Sequence, residues 1–377
     1  MSEINLGLAT NVIKYQMVRR NLQKPCNPVT LTFSVTNKCQ SRCKTCNIWK
    51  LYLTNPELRK SELNIGEIED IFKSIGHIYF FNISGGEPFL RKDLSEIVVL
   101  ACKYLQPDII HTPTNGLSPE LIESQTRRIL GSMKECGYGK VPFTIKPSFD
   151  GVGDKHDDIR GVTGNFVKVL ETYDRLKRVR EEYPNLHLGL GTVISKFNYK
   201  NIPEIADYVQ SLSPDSYINE IAEQRSELFT KEDPITPAAE EYEEAIQQFL
   251  IRSREIIKKS RRLDRVTQSF RLVYYDLVIR TLKEKRQIIP CYAGISNAHI
   301  NPYGELWPCC ILGYDKPMGD LRSAGCDFQK VWHSEQARAV REYIKAGKCH
   351  CPLANQAYSN ILCNPKKMVA VLKSALM

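Results

Sequence analysis

The sequence predicts an α/β fold: a parallel sheet wound through helical crossovers, then a helical connection, then a small cysteine-bearing C-terminal unit. Three observations lead there. Six short apolar runs, at 29–35, 77–83, 108–112, 141–149, 186–194 and 215–221, read as strands. Helical spacing fills the intervals between them, at 64–75, 93–104, 118–135, 164–182 and 201–211, and such alternation builds βαβ units with right-handed crossovers. The 13 cysteines are also clustered, three of them within residues 39–46 and seven after residue 290.

Taken in order, residues 4–20 place Val12, Ile13, Tyr15 and Met17 among Lys14, Arg19 and Arg20, the pattern of an amphipathic helix packing on the core. Pro25 and Pro28 end it. In the first strand Val29, Leu31, Phe33 and Val35 alternate with Thr30, Thr32 and Ser34, a half-buried strand pattern. Directly after it come Cys39, Cys43 and Cys46 at spacing C-x3-C-x2-C. Three thiolates can hold three corners of a 4Fe–4S cubane and leave the fourth iron open to a substrate or cofactor, whereas four would close the site. Asn64 with Glu67 forms a capping box for the first crossover helix, and Pro119 suits the first turn of the third.

Gly85-Gly86-Glu87-Pro88 follows the second strand. Here the chain resembles the radical S-adenosylmethionine (radical SAM) superfamily, in which a C-x3-C-x2-C loop binds the cluster and a GGEP-type turn meets the amino group of S-adenosylmethionine. Glycines let backbone approach a ligand closely, and the glutamate offers a negative group to an ammonium. Thr45 departs from the aromatic residue that many members place before the third cysteine, and Trp49 is the expected shield instead. The resemblance turns the α/β prediction into a partial (β/α)6 barrel over residues 29–221, TIM-like and open on one side. Periodicity alone leaves an open doubly wound sheet equally available.

Chemistry in such folds gathers at the carboxyl ends of the strands. The third strand ends on Thr114-Asn115-Gly116. The fourth leads into SFDGVGDKHDDIRGVTGNF, residues 148–166, which resembles the segment of SPASM-type radical SAM enzymes that holds the methionyl carboxylate. Ser148 and Arg160 take those positions, and the planar, two-pronged guanidinium suits a carboxylate. Asp150 is expected to reach the ribose, and residues 191–194 to contact adenine.

Residues 222–286 read as a charged helical linker. Arg252 to Arg286 holds twelve Lys and Arg against four Asp and Glu, behind an acidic stretch. The bland reading is a solvated face, and the alternative is contact with an anionic substrate or a membrane surface. The C-terminal unit, 287–377, opens with Cys291 and a strand–turn–strand reaching Cys309. This resembles SPASM and twitch domains, including the twitch domain of radical SAM dehydrogenases of aminoglycoside biosynthesis. The resemblance implies an auxiliary 4Fe–4S cluster on Cys291, Cys309, Cys349 and Cys351, with Cys310, Cys326 or Cys363 as possible substitutes. The same thiols could instead hold zinc.

The net charge of +9 is concentrated in one segment, which argues against a general nucleic-acid binder. No secretory signal or apolar run of membrane-spanning length is present, and clustered thiols suit a reducing cytoplasm. The resemblance implies an enzyme that cleaves S-adenosylmethionine to a 5′-deoxyadenosyl radical, fed by reduced ferredoxin or flavodoxin, and takes hydrogen from an unactivated C–H bond. Peptide-modifying relatives often carry about eighty residues ahead of the barrel, against 28 here. The expected substrate is therefore a small molecule, sugar or lipid, in a net oxidation or a C–C or C–S bond formation. A peptide-modifying SPASM maturase and a non-catalytic iron–sulfur electron carrier are the alternatives.

Overall fold

The computed structural model describes residues 2–259 and 262–376. Ser260 and Arg261 of the basic segment lie outside the described residues. Helix α1 (Ser2–Arg19) precedes β1 (Thr30–Ser34), and a short α2 (Leu51–Thr54) follows the cysteine loop. Crossovers then alternate: α3 (Ile65–Ile75), β2 (Phe80–Ser84), α4 (Leu94–Tyr104), β3 (Ile109–Thr114), α5 (Pro119–Glu135) and β4 (Phe143–Pro147). After β4 come α6 (Asp154–Arg160), α7 (Asn165–Glu182), β5 (Leu186–Ile194), α8 (Ile202–Ser211) and β6 (Ser216–Ile221).

The strands from β1 to β6 pair parallel in sequence order. Leu31, Phe33, Phe81, Ile83, Ile110 and Ile145 are buried at 1% exposure or less under the crossover helices, as the alternation requires. The capping box on α3 is present: Asn64 Oδ1 accepts from the Gly66 and Glu67 N–H groups, and Glu67 accepts from the Asn64 N–H.

Beyond the barrel lie α9 (Ala239–Ala245), α10 (Gln247–Lys259) and α11 (Arg262–Glu284). Residues 222–238 are not helical, contrary to the sequence expectation. Pro234 and Pro237 supply no N–H for a helical ladder, and Glu223, Arg225 and Glu227 turn inward instead of facing solvent.

The C-terminal strands do not form a sheet of their own. Among the described residues the order is β6-β5-β4-β3-β2-β1-β7-β8-β9, with β7 (Asn297–Ile300) parallel to β1 and β8 (Glu305–Trp307) and β9 (Gly319–Asp320) antiparallel beyond it. Helices α12 (Phe328–Trp332), α13 (Glu335–Lys345), α14 (Ala354–Leu362) and α15 (Pro365–Leu376) complete the chain. Tyr15 and Val18 of α1 are buried against Tyr292, Ile295 and Cys363, so both ends of the chain share one apolar cluster. Among the described residues no helix is long and apolar enough to cross a membrane.

Candidate active site

The cysteine loop is clamped from two sides at the carboxyl end of the sheet. On one side the glycine turn lies flush against it: Gly86 donates its N–H to Thr36 O at 2.7 Å and Glu87 to Lys38 O at 2.8 Å. A Cβ on Gly85 would sit 2.2 Å from Thr36 O, and one on Gly86 2.3 Å from Lys38 O. Only glycine permits that approach. On the other side Arg42 and Lys44 donate their N–H groups to Arg160 O and Ile159 O at 3.0 and 2.9 Å, at the end of α6. Ser41 Oγ donates to the same Arg160 carbonyl.

Cys39, Cys43 and Cys46 line one cavity of about 220 Å³ with Gly85, Gly86 and Asn115. Ser148, Arg160 and Val193 also line it. Asn115 is held in place by its own amide, which donates to Gln40 Oε1 at 3.2 Å and approaches Cys39 Sγ at 3.7 Å. Burial lifts the Cys39 thiol to about 12, with Glu87 and Cys43 adding to the rise. Such a thiol ionises readily only when a cation binds it, which matches the donor chemistry of an iron–sulfur site. Arg160 Nε is buried without a partner among the described residues. The donor set and that free guanidinium N–H fit a cluster and a carboxylate-bearing cofactor.

Three expected contacts are arranged differently. Glu87 is 1% exposed and faces away from the cavity: it accepts from the Asn115 N–H at 2.7 Å, Thr114 Oγ1 at 3.0 Å and the Phe89 N–H at 3.3 Å. Burial nevertheless raises its carboxyl to about 7, outweighing those donors. It ties the ends of β2 and β3 together, and Pro88 is buried behind it. Asp150 likewise points inward, accepting from Arg160 Nη1 at 2.9 Å and the Val193 N–H at 2.8 Å, so it aims Arg160 and does not line the cavity. Ile48, not Trp49, lines the wall beside the thiols.

Sequence reasoning missed Glu220, Glu223 and Arg225, which close the far side of the cavity. Burial lifts Glu223 to about 8 against the pull of Arg225, and its Oε1 has no partner among the described residues. The helical reading of 222–238 concealed Glu223 and Arg225, while Glu220 lies in β6 itself; an acidic–basic alternation at the strand end was the available signal.

The four C-terminal cysteines converge. Burial raises the Cys309 thiol, with Cys291 and Cys349 adding to it, and burial raises Cys351, with Glu223 and then Cys309 and Cys291 adding to it. Cys349 and Cys351 border the same small space as Cys291, despite the single intervening residue. Gln287 Nε2 donates to Cys349 O at 3.0 Å, and Asn360 Oδ1 accepts from the Tyr292 N–H at 2.8 Å, bracing both sides. Cys363 stands apart at 1% exposure in the apolar cluster under α1, and Cys326 lies near Arg322 and Glu67. Cys310 faces the barrel interior, 3.0 Å from Arg225 Nη1.

Comparison with known families places this arrangement. Residues 33–209 match the radical SAM superfamily, so the chain is a radical SAM enzyme. Residues 291–352 match the SPASM iron–sulfur cluster-binding domain, and the chain belongs with the SPASM-bearing members. The radical SAM domain binds a 4Fe–4S cluster and S-adenosylmethionine, and the SPASM domain indicates further iron–sulfur centres.

The chain is 23% identical to the antilisterial bacteriocin subtilosin biosynthesis protein AlbA of Bacillus subtilis, over 85% of this chain and 65% of AlbA. It is 24% identical to the PqqA peptide cyclase of Rhodopseudomonas palustris, over 89% of this chain and 80% of the cyclase. Its fold matches Streptococcus suis SuiB bound to the precursor peptide SuiA, with TM-score 0.57 at 15% identity, covering 87% of this chain and 70% of SuiB. These findings overturn the expectation of a small-molecule, sugar or lipid substrate: one relative is named for cyclising a peptide. That expectation rested on the length of chain ahead of the barrel, which does not determine what the barrel accepts.

Proposed function

We propose that the protein is a radical SAM peptide maturase, with its first cluster on Cys39, Cys43 and Cys46 and an auxiliary cluster on Cys291, Cys309, Cys349 and Cys351. The observation that carries this reading is a chamber of about 620 Å³ inside the barrel, sharing Ser148, Val193, Glu220 and Arg225 with the cysteine-lined cavity. A volume in that range takes a drug-sized ligand or a short stretch of peptide. When bound, the cluster and S-adenosylmethionine supply a 5′-deoxyadenosyl radical that removes a hydrogen atom from a C–H bond.

The residues of this chain do the positioning. Gly85 and Gly86 would bring backbone to the methionyl amino group, while Ser148, with Arg160 aimed by Asp150, would take the methionyl carboxylate. Asn115 steadies the loop at Cys39. Ile48 and the 222–228 segment exclude water from the reacting centre. Of the auxiliary thiols Cys309 borders the chamber, and a cluster held by Cys291, Cys309, Cys349 and Cys351 would supply an electron acceptor there. Loss of a hydrogen atom to the 5′-deoxyadenosyl radical, then of a proton to solvent and an electron to that acceptor, would remove two hydrogens from the peptide in net oxidation.

The test is anaerobic reconstitution with iron, sulfide, dithionite and S-adenosylmethionine, with product read by mass spectrometry. The reading requires 5′-deoxyadenosine, and a co-expressed candidate precursor peptide about 2 Da lighter per bond formed. An electron carrier would form no 5′-deoxyadenosine.

A further inference from the structure

The interior of a closed α/β barrel is normally filled by bulky branched side chains. Here many of the chamber-facing strand positions are small or polar, among them Thr30, Thr32, Asn82, Ser84 and Gly191, beside the bulkier Phe80, Val193 and Ile218. The chamber runs from Val29 and Tyr79 at the amino ends of the strands to Ser148 and Val193 at their carboxyl ends. One layer across its middle is built with unusual specificity.

Asn82 Nδ2 donates to Thr32 Oγ1 at 3.3 Å, which turns Asn82 Oδ1 toward His111 Nδ1 at 2.7 Å. Since Oδ1 only accepts, Nδ1 carries the proton and Nε2 keeps a bare lone pair. That Nε2 is buried and has no partner among the described residues, and His111 lines the chamber. The Phe80 ring stacks on the imidazole at 6.0 Å between centroids and holds its plane.

Beside it Lys146 Nζ donates to Glu220 Oε1 at 3.1 Å, leaving further ammonium hydrogens. Its stem crosses β5 only because Gly191 has no side chain there: a Cβ would lie 2.9 Å from Lys146 Cδ. Arg225, the other cation lining the chamber, pairs with Glu227 at 3.3 Å. Each of these cations already has its carboxylate. An added free charge would meet no unpaired opposite charge on this wall, and burying it so is costly. What the His111 and Lys146 part of the wall offers is spare ammonium hydrogens and one bare ring nitrogen, which suits a neutral group carrying both an acceptor and a donor.

We infer that the His111–Lys146–Glu220 layer is a recognition subsite for an amide of the substrate, whose C=O accepts from Lys146 and whose N–H is donated to His111 Nε2. The inference rests on the peptide reading above and goes beyond it by naming the group that is read. A side-chain carboxamide and a backbone amide share this chemistry. An extended peptide along the barrel presents a backbone amide every ~3.3 Å.

The test uses the reconstituted full chain with S-adenosylmethionine and capped pentapeptides of alanine whose central residue is Asn, Asp or Ser, plus an all-alanine peptide with one central amide replaced by an ester. Binding is read by calorimetry. A side-chain source gives the Asn peptide an affinity about tenfold or more above the Asp and Ser peptides. A backbone source gives equal affinity for the three and a similar loss for the ester. In either case the preference disappears in His111→Phe and in the charge-neutral pair Lys146→Met with Glu220→Gln. Iron content and S-adenosylmethionine affinity, measured without peptide, report that each variant is folded and loaded. The inference is overturned if the Asp or Ser peptide binds as tightly as Asn while the ester binds as tightly as its amide, or if the preference survives His111→Phe. Absence of binding by every peptide to the wild type overturns the peptide reading along with the subsite, whereas binding without preference overturns the subsite alone.

Discussion

Replacing Gly86 with Ala tests the claim that the glycine turn sets the position of the cysteine loop. Gly86 is not in the left-handed region, so an alanine there strains nothing but space. Its Cβ would sit 2.3 Å from Lys38 O and 2.7 Å from Lys38 C, and Lys38 directly precedes Cys39. Ordinary carbon–oxygen contact begins near 3.3 Å, so the loop must retreat by about 1 Å. Overpacking of this kind costs about 1–3 kcal/mol of stability. A 1 Å misplacement at a reacting centre costs about a hundredfold in rate, equivalent to about 2.7 kcal/mol. The assay is the anaerobic rate of 5′-deoxyadenosine formation at matched iron content, beside a urea unfolding curve. Gly131→Ala is the control, since its Cβ would meet only Tyr183 Oη at 3.9 Å inside α5. It should stabilise the chain by about 0.5–1 kcal/mol and leave the rate alone. A Gly86→Ala protein within twofold of the wild-type rate, with an unshifted unfolding midpoint, would refute the clamp.

The other expectations concern the thiols and one buried acid. Cys43→Ala should abolish 5′-deoxyadenosine formation while the reconstituted chain keeps about four of its roughly eight irons, because the C-terminal site uses separate thiolates. Iron analysis and mass spectrometry check it, and persisting cleavage would reassign the loop. Cys363→Ser should leave the iron count unchanged and lower stability by about 1–3 kcal/mol, since it buries a hydroxyl among Tyr15, Tyr292 and Ile295. A fall to about four irons would instead place Cys363 in the cluster. Glu87 is raised to about 7 in the fold by burial, above its unfolded value. The folded chain therefore binds the extra proton, and the stability it lends is complete below the unfolded value and lost as pH rises through 7. Before its cluster is loaded, the wild type should lose about 3 kcal/mol more than Glu87→Gln between pH 4.5 and 8, by urea unfolding at each pH.

Legibility in the sequence followed the range of the interaction. Strand and helix positions came from alternation and caps, which are local, and the six barrel strands and their five crossover helices fall within a few residues of expectation. The cysteine loop and glycine turn were legible because tight backbone approach restricts residue type. Helix α6 was not, since Gly151, Gly153 and a run of aspartates read as loop; its cap instead depends on Gly161 packing 2.2 Å from Arg42 O by its would-be Cβ. The pairing of β7 with β1 spans more than 260 residues of chain, and its four residues are all buried, so no alternation announces a face.

Glu87 and Glu223 show why chemistry was harder to read than fold. Both are carboxylates beside the same cavity, and sequence assigned the first a ligand and the second a solvated helix. What separates them is the supply of donors. Glu87 meets three, two of them from the end of β3, which consumes its lone pairs and makes it a tie between strands. Glu223 keeps a buried oxygen without a partner among the described residues, on the wall between the two groups of thiols. An acid so placed is a site residue by default, because a fold that needed it only for structure would have satisfied it. No spacing rule carries that information: it lies in which N–H groups the crossovers deliver to each carboxylate, a property of the assembled barrel.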